Sequence, residues 1–405
     1  MTSSTPHHRP RRTLVALLAT LVVVLGAVAG AAGAQEAPPA SVPPDLPVVT
    51  PPADPSAPPL PPPAPIADPS PQVAVLLTRL HILDLQHILG GAQATLDQAQ
   101  AVADRAKAFL DAATRDRDRT RKALTDAATT AYVQGGLVDV SELDHGSISD
   151  FVAAESQKTL AGSAIDHARS ELQAAEARLQ AATTQYRTAQ QQADDARAAR
   201  DAAQAALDDA TNSLATPPRG TDVSPTVLGD STLTPDEIVG WYQTKGVQGW
   251  NAKVDLATMA GYYVTEGQAE GVRGDVAFAQ AMVETGAFTS PLTGHNNFAG
   301  IGACDSCATG FDFPSPQLGV RAQMQLLHAY ADRALTLATL ANPSVGANPD
   351  HLSVRGCCAT WNKLTGTWAT DPNYGPKIMT IYQSMLEFAL ALRTSAATAP
   401  VPPVP

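Results

Sequence analysis

Two long stretches constrain the fold most, because in each of them apolar residues recur at alternating spacings of three and four. The first begins near Val73 and continues to Ala131, and the second runs from Ile165 to Leu207. This spacing is the heptad seam of a coiled coil. Alanine fills many seam positions, so two helices could approach closely while each turn buries little area. Two such helices with one interruption predict a long N-terminal antiparallel coiled-coil hairpin over residues 72–213.

The interruption, residues 134–150, contains a glycine pair and several apolar side chains. It predicts the tip of the hairpin. Either these apolar residues dock a partner, or they cap the end of the hairpin itself.

The regions that flank the hairpin are of different kinds. Residues 1–34 have a basic start, an apolar run and a small-residue Ala-Gly-Ala site, which predicts a signal peptide and secretion to the cell envelope. An uncleaved membrane anchor is the alternative. Residues 35–71 are a proline-rich spacer, 214–233 a linker and 395–405 a proline-rich tail. The formal charge of −12 provides no basic face for nucleic acid.

Residues 234–394 read as a separate, mainly helical domain. Its start, Thr234-Pro235-Asp236-Glu237, predicts a capping box with proline at the first helical position. Residues 295–313 lack helical periodicity and predict an irregular lobe or a short β-hairpin. The predicted fold class is therefore all-α dominated, with a small α+β lobe. The helices are expected at about 235–245, 252–269, 274–285, 316–340 and 374–393.

Glu284 is the candidate catalytic residue, in the last turn of a predicted buried helix and close in sequence to His295-Asn296-Asn297. The negative end of the helix dipole and partial burial both disfavour a charged carboxylate, so its pKa should be raised. A raised pKa suits a general acid. The alternative is a solvated glutamate or one that caps carbonyl groups.

Three ordered motifs carry a resemblance to a known family. They are residues 279–286 (AQAMVETG), 296–302 (NNFAGIG) and 368–374 (WATDPNY), with 319–323 (GVRAQ) between the last two. Together they resemble the glucosaminidase family, glycoside hydrolase family 73. The resemblance implies a lysozyme-like helical catalytic domain that cleaves the β-1,4 bond after N-acetylglucosamine in peptidoglycan, without a cofactor.

The same resemblance implies roles for further residues. Tyr374 would orient the acetamido group or stabilise the transition state, unless it is a core tyrosine. Glycoside cleavage normally needs a second carboxylate. Asp305 and Asp312 are candidates, and assistance by the substrate's N-acetyl group would replace either. Asn296 and Asn297 could bind sugar hydroxyls or hold their loop, and at least one of the aromatic candidates could be buried rather than stacked on a sugar. The substrate-binding candidates are Gln280, His295, Asn296, Asn297, Phe298, Trp361, Trp368, Asp371 and Asn373.

The hairpin carries a second resemblance. The sequence AATTAYVQGG at 127–136, followed by SISDF at 147–151, resembles the coiled-coil region of secreted peptidoglycan hydrolases. In that group a division-associated membrane transporter of the FtsE–FtsX type regulates the enzyme through the hairpin. The expected partners are therefore glycan strands and such a transporter.

Four cysteines lie in the predicted catalytic domain. An exported chain favours two disulfides, and four cysteines allow three connectivities. Bonds between the two pairs would tie the lobe to the helical core, and a local bond within the first pair is also open. A zinc site is the rival hypothesis, although adjacent cysteines suit a tetrahedral ion poorly. The cysteines are Cys304, Cys307, Cys357 and Cys358.

Overall fold

The structure, a computed structural model, forms two compact units. The hairpin unit comprises residues 85–206, and the C-terminal unit comprises residues 64–84 with 207–398. The predicted signal peptide lies outside the described residues, as does most of the spacer. The described residues are 64–135, 148–216, 220, 222–302, 310–346 and 352–398.

Two helices form the predicted hairpin. Helix α1 spans Ser70–Gly135 and packs against helix α2, Ile148–Ala215. Within the hairpin unit, residues 175, 182, 189, 196 and 203 of α2 are all buried alanines, at a constant spacing of seven. Ala103 of α1 packs in a small cluster with Ala189 and Ala193. The helical hairpin is therefore confirmed, and most of the predicted tip lies outside the described residues.

The start of α1 belongs to the C-terminal unit. We call residues 64–84 the N-terminal strap. Val73, Leu76 and Leu80 are buried in the same apolar cluster as the helices that follow the hairpin. Arg393 donates to Asp84 of the strap and to Glu237, so an ion-paired group joins the strap to two helices of this unit. The core of the C-terminal unit therefore includes residues from before the hairpin.

Helices build the rest of this unit, and the all-α prediction is confirmed for the described residues. Only isolated β-bridges occur among them. At the first helix, the Thr234 side chain accepts from the Glu237 backbone N–H, and the Glu237 carboxylate accepts from the Thr234 N–H, as the capping box predicts. The helices are α3 (Pro235–Thr244), α4 (Leu256–Glu270), α5 (Gly274–Glu284), α6 (Pro291–Gly294), α7 (Pro316–Ala331) and α8 (Tyr374–Thr398).

Two expectations differ in detail from the structure. The helix predicted to reach residue 340 ends at Ala331. There the Asp332 carboxylate accepts from the backbone N–H of Ala334, a local bond that competes with helix continuation. In the predicted lobe, backbone bonds join Phe311 to Ile301 and Phe313 to His295, but no strand forms among its described residues.

One helix among the described residues, Ser70–Val133, is long and apolar enough to cross a membrane on those two criteria alone. A core helix of a soluble protein passes the same test. Its first turns carry Val73, Leu76 and Leu80, which are buried in the protein core. Packing of the strap accounts for these three apolar side chains only.

Candidate functional site

A left-handed turn ends helix α5 and leaves Glu284 as its last residue. Gly286, Ala287 and Phe288 follow with φ between 56° and 62°. Left-handed backbone costs roughly 1–2 kcal/mol for a residue with a side chain. Burial of the Phe288 ring offsets this cost, because the ring lies 5.1 Å from that of Phe278 in the core. The Thr285 hydroxyl also accepts from the Phe288 N–H at 2.8 Å.

The two oxygens of Glu284 have different surroundings. Oε1 accepts a hydrogen bond from the Trp368 indole Nε1 at 3.1 Å and a short one from the Tyr374 hydroxyl. Oε2 accepts none from any described residue. The helix end, the loop before α8 and the first residue of α8 thus meet at one carboxyl group.

Burial controls the protonation of this pair. It raises the pKa of Glu284 above its ordinary value, while the hydrogen bonds from Tyr374 and Trp368 oppose that rise. Burial also holds the pKa of Tyr374 well above its ordinary value, and the neighbouring Glu284 carboxylate adds to this. Tyr374 therefore remains a protonated donor over the physiological pH range.

Behind Tyr374 lies a chain of buried polar groups. Gln280 Nε2 donates to the Tyr374 hydroxyl oxygen at 2.8 Å, and Gln323 Nε2 donates to Gln280 Oε1 at 2.9 Å. The Tyr263 hydroxyl donates to Gln323 Oε1 at 2.8 Å. Gln323 Nε2 also donates to the Ala277 carbonyl at 3.0 Å. The chain joins α4, α7, α5 and α8 behind the carboxyl group.

The loop after α6 is held by its own asparagines. Asn296 Nδ2 donates to the Phe313 carbonyl at 2.7 Å. Asn297 Nδ2 donates to the Ile301 carbonyl, and Asn297 Oδ1 accepts from the Ile301 N–H. Both side chains are buried. A Cβ at Gly319 would lie 1.8 Å from the Asn296 carbonyl oxygen, so only glycine lets α7 approach this loop. These amides hold the loop, which was one of the two predicted roles.

Gly300 brings this loop close to Glu284. It has φ +63°, and a Cβ there would lie 3.1 Å from Glu284 Oε2. Glycine is therefore favoured here for two reasons. It adopts this backbone conformation without strain, and it has no side chain to fill the space beside Glu284 Oε2.

The predicted aromatic contacts divide into two groups. Phe298 and Trp361 are fully buried in the main apolar cluster and expose no face to a ligand. Trp368 is half-buried, and its ring lies 5.1 Å from that of Tyr330. Trp368 therefore contacts both Glu284, the candidate acid, and Tyr330, an aromatic residue of α7.

Residues before α8 connect the site to the strap. Asn373 Oδ1 accepts from the Ile66 N–H at 2.9 Å, and its Nδ2 donates to the Ala64 carbonyl at 3.0 Å. Asn373 is buried by these contacts. Asp371 pairs with Lys377, which lowers the pKa of the Asp371 carboxyl.

The other predicted acidic residues are less constrained. Asp312 is largely exposed, with its Oδ2 3.7 Å from His295 Nδ1. Asp305 lies outside the described residues, as do Cys304 and Cys307. The sulfurs of Cys357 and Cys358 are bonded to each other, so the predicted bonds between the two cysteine pairs do not form. Within the described ranges, no three His, Cys, Asp or Glu side chains group to hold a metal ion.

Comparison with known proteins assigns the segment that contains this site. Residues 260–387 match the glucosaminidase family, described as mannosyl-glycoprotein endo-beta-N-acetylglucosaminidase. This segment is a glucosaminidase domain. The family is one of glycoside hydrolases, and the match includes α5, the Gly300 loop, α7 and the Tyr374 motif.

One curated relative is similar to part of this chain. It is an uncharacterized protein of Borreliella burgdorferi, 34% identical over 134 residues. The aligned part is 32% of this chain and 63% of the relative. The chain thus spans less than two thirds of that relative's length. No solved structure gives a significant match.

Several residues at the site of the glucosaminidase domain were not singled out from the sequence. Gln323 lies in the GVRAQ motif, but the motif assigned it no role. Tyr263 and Tyr330 carried no sequence signal besides their position on predicted helices. A hydrogen bond between helices identifies Tyr263, and a ring contact with Trp368, in the loop before α8, identifies Tyr330.

Proposed function

We propose that this chain is a peptidoglycan hydrolase of the cell envelope that cleaves the β-1,4 bond after N-acetylglucosamine. Glu284 is the general acid. The glucosaminidase domain supports the reaction class. The observation that carries the role of Glu284 is its partly buried carboxyl group at the end of α5, where one oxygen accepts two hydrogen bonds and the other lies beside Gly300.

The two oxygens of Glu284 take different parts in the reaction. Oε1 already accepts from Trp368 and Tyr374, so the acidic proton resides on Oε2. The space beside Gly300 lets the glycosidic oxygen approach Oε2. Proton transfer from Oε2 to that oxygen accompanies cleavage of its bond to the sugar C1, and the electron pair of the bond stays on the departing oxygen.

Glu284 becomes a carboxylate after it gives up the proton. The Trp368 indole and the Tyr374 hydroxyl then donate to a full negative charge, and such hydrogen bonds are stronger than neutral ones. Burial raises the pKa of the acid before the reaction, and these two donors stabilise its conjugate base afterwards. Water completes the reaction, because its oxygen bonds to C1 and its proton passes to a base.

The second group is Asp305, Asp312 or the substrate's own N-acetyl group. Product stereochemistry separates these routes, because direct attack by water inverts C1 whereas a covalent or acetamido intermediate retains its configuration. Among the substrate-binding candidates, Trp368, His295 and Asp371 remain in the proposal as partly exposed side chains. The other candidates are buried side chains: Gln280, Phe298, Trp361, Asn296, Asn297 and Asn373.

The N-terminal regions complete the proposal. Residues 1–34 export the chain, 35–63 form a spacer, and the coiled-coil hairpin localises or controls the enzyme through a division-associated membrane transporter. The cysteines form disulfides after export. The heptad spacing of buried alanines in α2 supports the coiled coil.

Purified wild type, Glu284→Gln and Glu387→Gln test the acid on isolated cell walls. Glu387 is an exposed glutamate of α8 and serves as the matched control. Loss of a general acid should lower the rate about 10²–10⁴-fold, while Glu387→Gln should match wild type. Equal clearing by Glu284→Gln and wild type contradicts the assignment.

Mass spectrometry of the released muropeptides tests the bond. A new reducing end on N-acetylglucosamine supports the proposal, and one on N-acetylmuramic acid contradicts it. Glycan binding without any release would favour the second candidate, a non-catalytic glycan-binding or scaffold protein.

Hairpin control needs a deletion that spares the strap. Replacing residues 85–206 with a short glycine-serine linker removes the hairpin unit and keeps Val73, Leu76 and Leu80. We expect a change in hydrolysis rate or in localisation at the septum. Identical activity and localisation in this variant would remove the control hypothesis.

A further inference from the structure

The buried chain behind Tyr374 has a fixed polarity. The Ala277 backbone carbonyl can only accept hydrogen bonds. Gln323 must therefore turn its amide nitrogen toward it, and that nitrogen also faces Gln280 Oε1. Gln280 then presents its own nitrogen to the Tyr374 oxygen. With a donor already aimed at that oxygen, the Tyr374 proton points at Glu284 Oε1.

The other end of the chain agrees with this polarity. Gln323 Oε1 accepts from the Tyr263 hydroxyl at 2.8 Å. Tyr263, Gln323 and Gln280 are each 0% exposed, so water does not compete for these groups. Reversing one amide would place two acceptors or two donors face to face in the core, which is costly.

We propose that Gln280 and Gln323 are positioning residues that fix the Tyr374 hydroxyl as a donor to Glu284 Oε1, and so hold the acidic proton on Oε2. A donated hydrogen bond at its oxygen also makes the Tyr374 O–H a stronger donor. This inference rests on the proposed role of Glu284 as the acid.

Several side chains surround Glu284 and Tyr374 and influence their pKa values. Tyr374 and Trp368 face Glu284, and Tyr330 of α7 adds to the electrostatic surroundings of Tyr374. Apart from burial, the influences on the pKa of Glu284 are the hydrogen bonds from Tyr374 and Trp368. A change at Gln280 therefore reaches Glu284 through Tyr374.

The test is NMR titration of the Glu284 carboxyl carbon in the full-length chain labelled with ¹³C-glutamate, with Glu284→Gln identifying the resonance. Gln280→Met keeps the volume and removes the donor, so the pKa of Glu284 should rise, in the same direction as in Tyr374→Phe. The double variant should show no more than the Tyr374→Phe shift, because both changes act through one hydroxyl. Hydrolysis should fall about tenfold in Gln280→Met, the effect of one hydrogen bond.

Gln325→Met is the matched control. Gln325 is a buried glutamine on the same helix as Gln323, but it donates to Glu270 and to the chain near residue 342. Its loss should lower stability and leave the Glu284 titration unchanged. A Glu284 titration that moves in Tyr374→Phe but not in Gln280→Met overturns the positioning role. Equal shifts in Gln280→Met and Gln325→Met also overturn it.

A titration of the wild-type protein tests the same inference without requiring any variant to fold. With ¹⁵N-labelled glutamine, the Gln280 amide protons should titrate with the same midpoint as Glu284. Absence of this common midpoint contradicts the inference. The titrations of the Glu284 carboxyl carbon and of the Gln280 amide do not depend on catalysis. If both behave as expected but the protein does not hydrolyse cell walls, the proposed function is refuted and the positioning role stands.

Discussion

Truncation of Leu80 tests whether the N-terminal strap is part of the C-terminal core. Leu80 is 0% exposed and belongs to the apolar cluster formed by the helices after the hairpin. Buried leucine-to-alanine changes cost about 2–5 kcal/mol. We expect about 3 kcal/mol for Leu80→Ala, or a fall in Tm of about 6–12 °C for a domain of roughly 150–250 residues.

Tryptophan fluorescence makes the assay specific to this unit. The four tryptophans, at positions 241, 250, 361 and 368, all lie in the C-terminal unit and none lies in the hairpin unit. Urea unfolding followed by this signal therefore reports the core that Leu80 joins.

Ile88→Ala is the matched control for this truncation. Ile88 lies on the same helix, is 45% exposed, and should change stability by less than about 0.5 kcal/mol. If the tryptophan transitions of Leu80→Ala and Ile88→Ala coincide, the strap does not contribute to the core as argued.

Two further predictions concern Glu284. Gly300→Ala should abolish most cell-wall hydrolysis with a stability loss of about 1 kcal/mol, because the new methyl group lies 3.1 Å from Glu284 Oε2 on left-handed backbone; substantial hydrolysis by the folded variant would contradict the role of that space. Glu284→Gln should raise the Tm above that of wild type at neutral pH. The folded-state pKa is raised, so the carboxyl group favours folding below its unfolded pKa, and this contribution is lost as the pH rises through the folded pKa. Thermal melts from pH 4 to pH 8 should show this difference in Tm widening with pH, and a constant difference would count against a raised pKa of Glu284 in the folded protein.

Local patterns made several features predictable from the sequence. Burial at Ala182 and Ala189 follows the heptad spacing, and the capping box at Thr234 follows from residues three apart. The position of Glu284 at a helix end was also predictable, because Gly286 soon follows it. Each of these depends on neighbours along the chain.

Other features depend on contacts between distant segments. The amide of Asn373 was expected to bind substrate, but it bonds the strap about 300 positions earlier, and no local pattern encodes that pairing. The polarity of Gln280 depends on a backbone carbonyl and on a residue of another helix. The left-handed conformation at Ala287 is likewise stabilised by burial of the next side chain rather than by its own propensity.

The bond between Ile66 and Asn373 joins residues 307 positions apart, and this separation has a kinetic consequence. Contacts of high sequence separation form late, because a long loop must close before they contribute. As the ribosome makes the chain, the strap emerges long before Asn373 and the helix α8 that follows it. The core that contains the strap therefore cannot be completed until α8 has been made, about 300 residues after the strap.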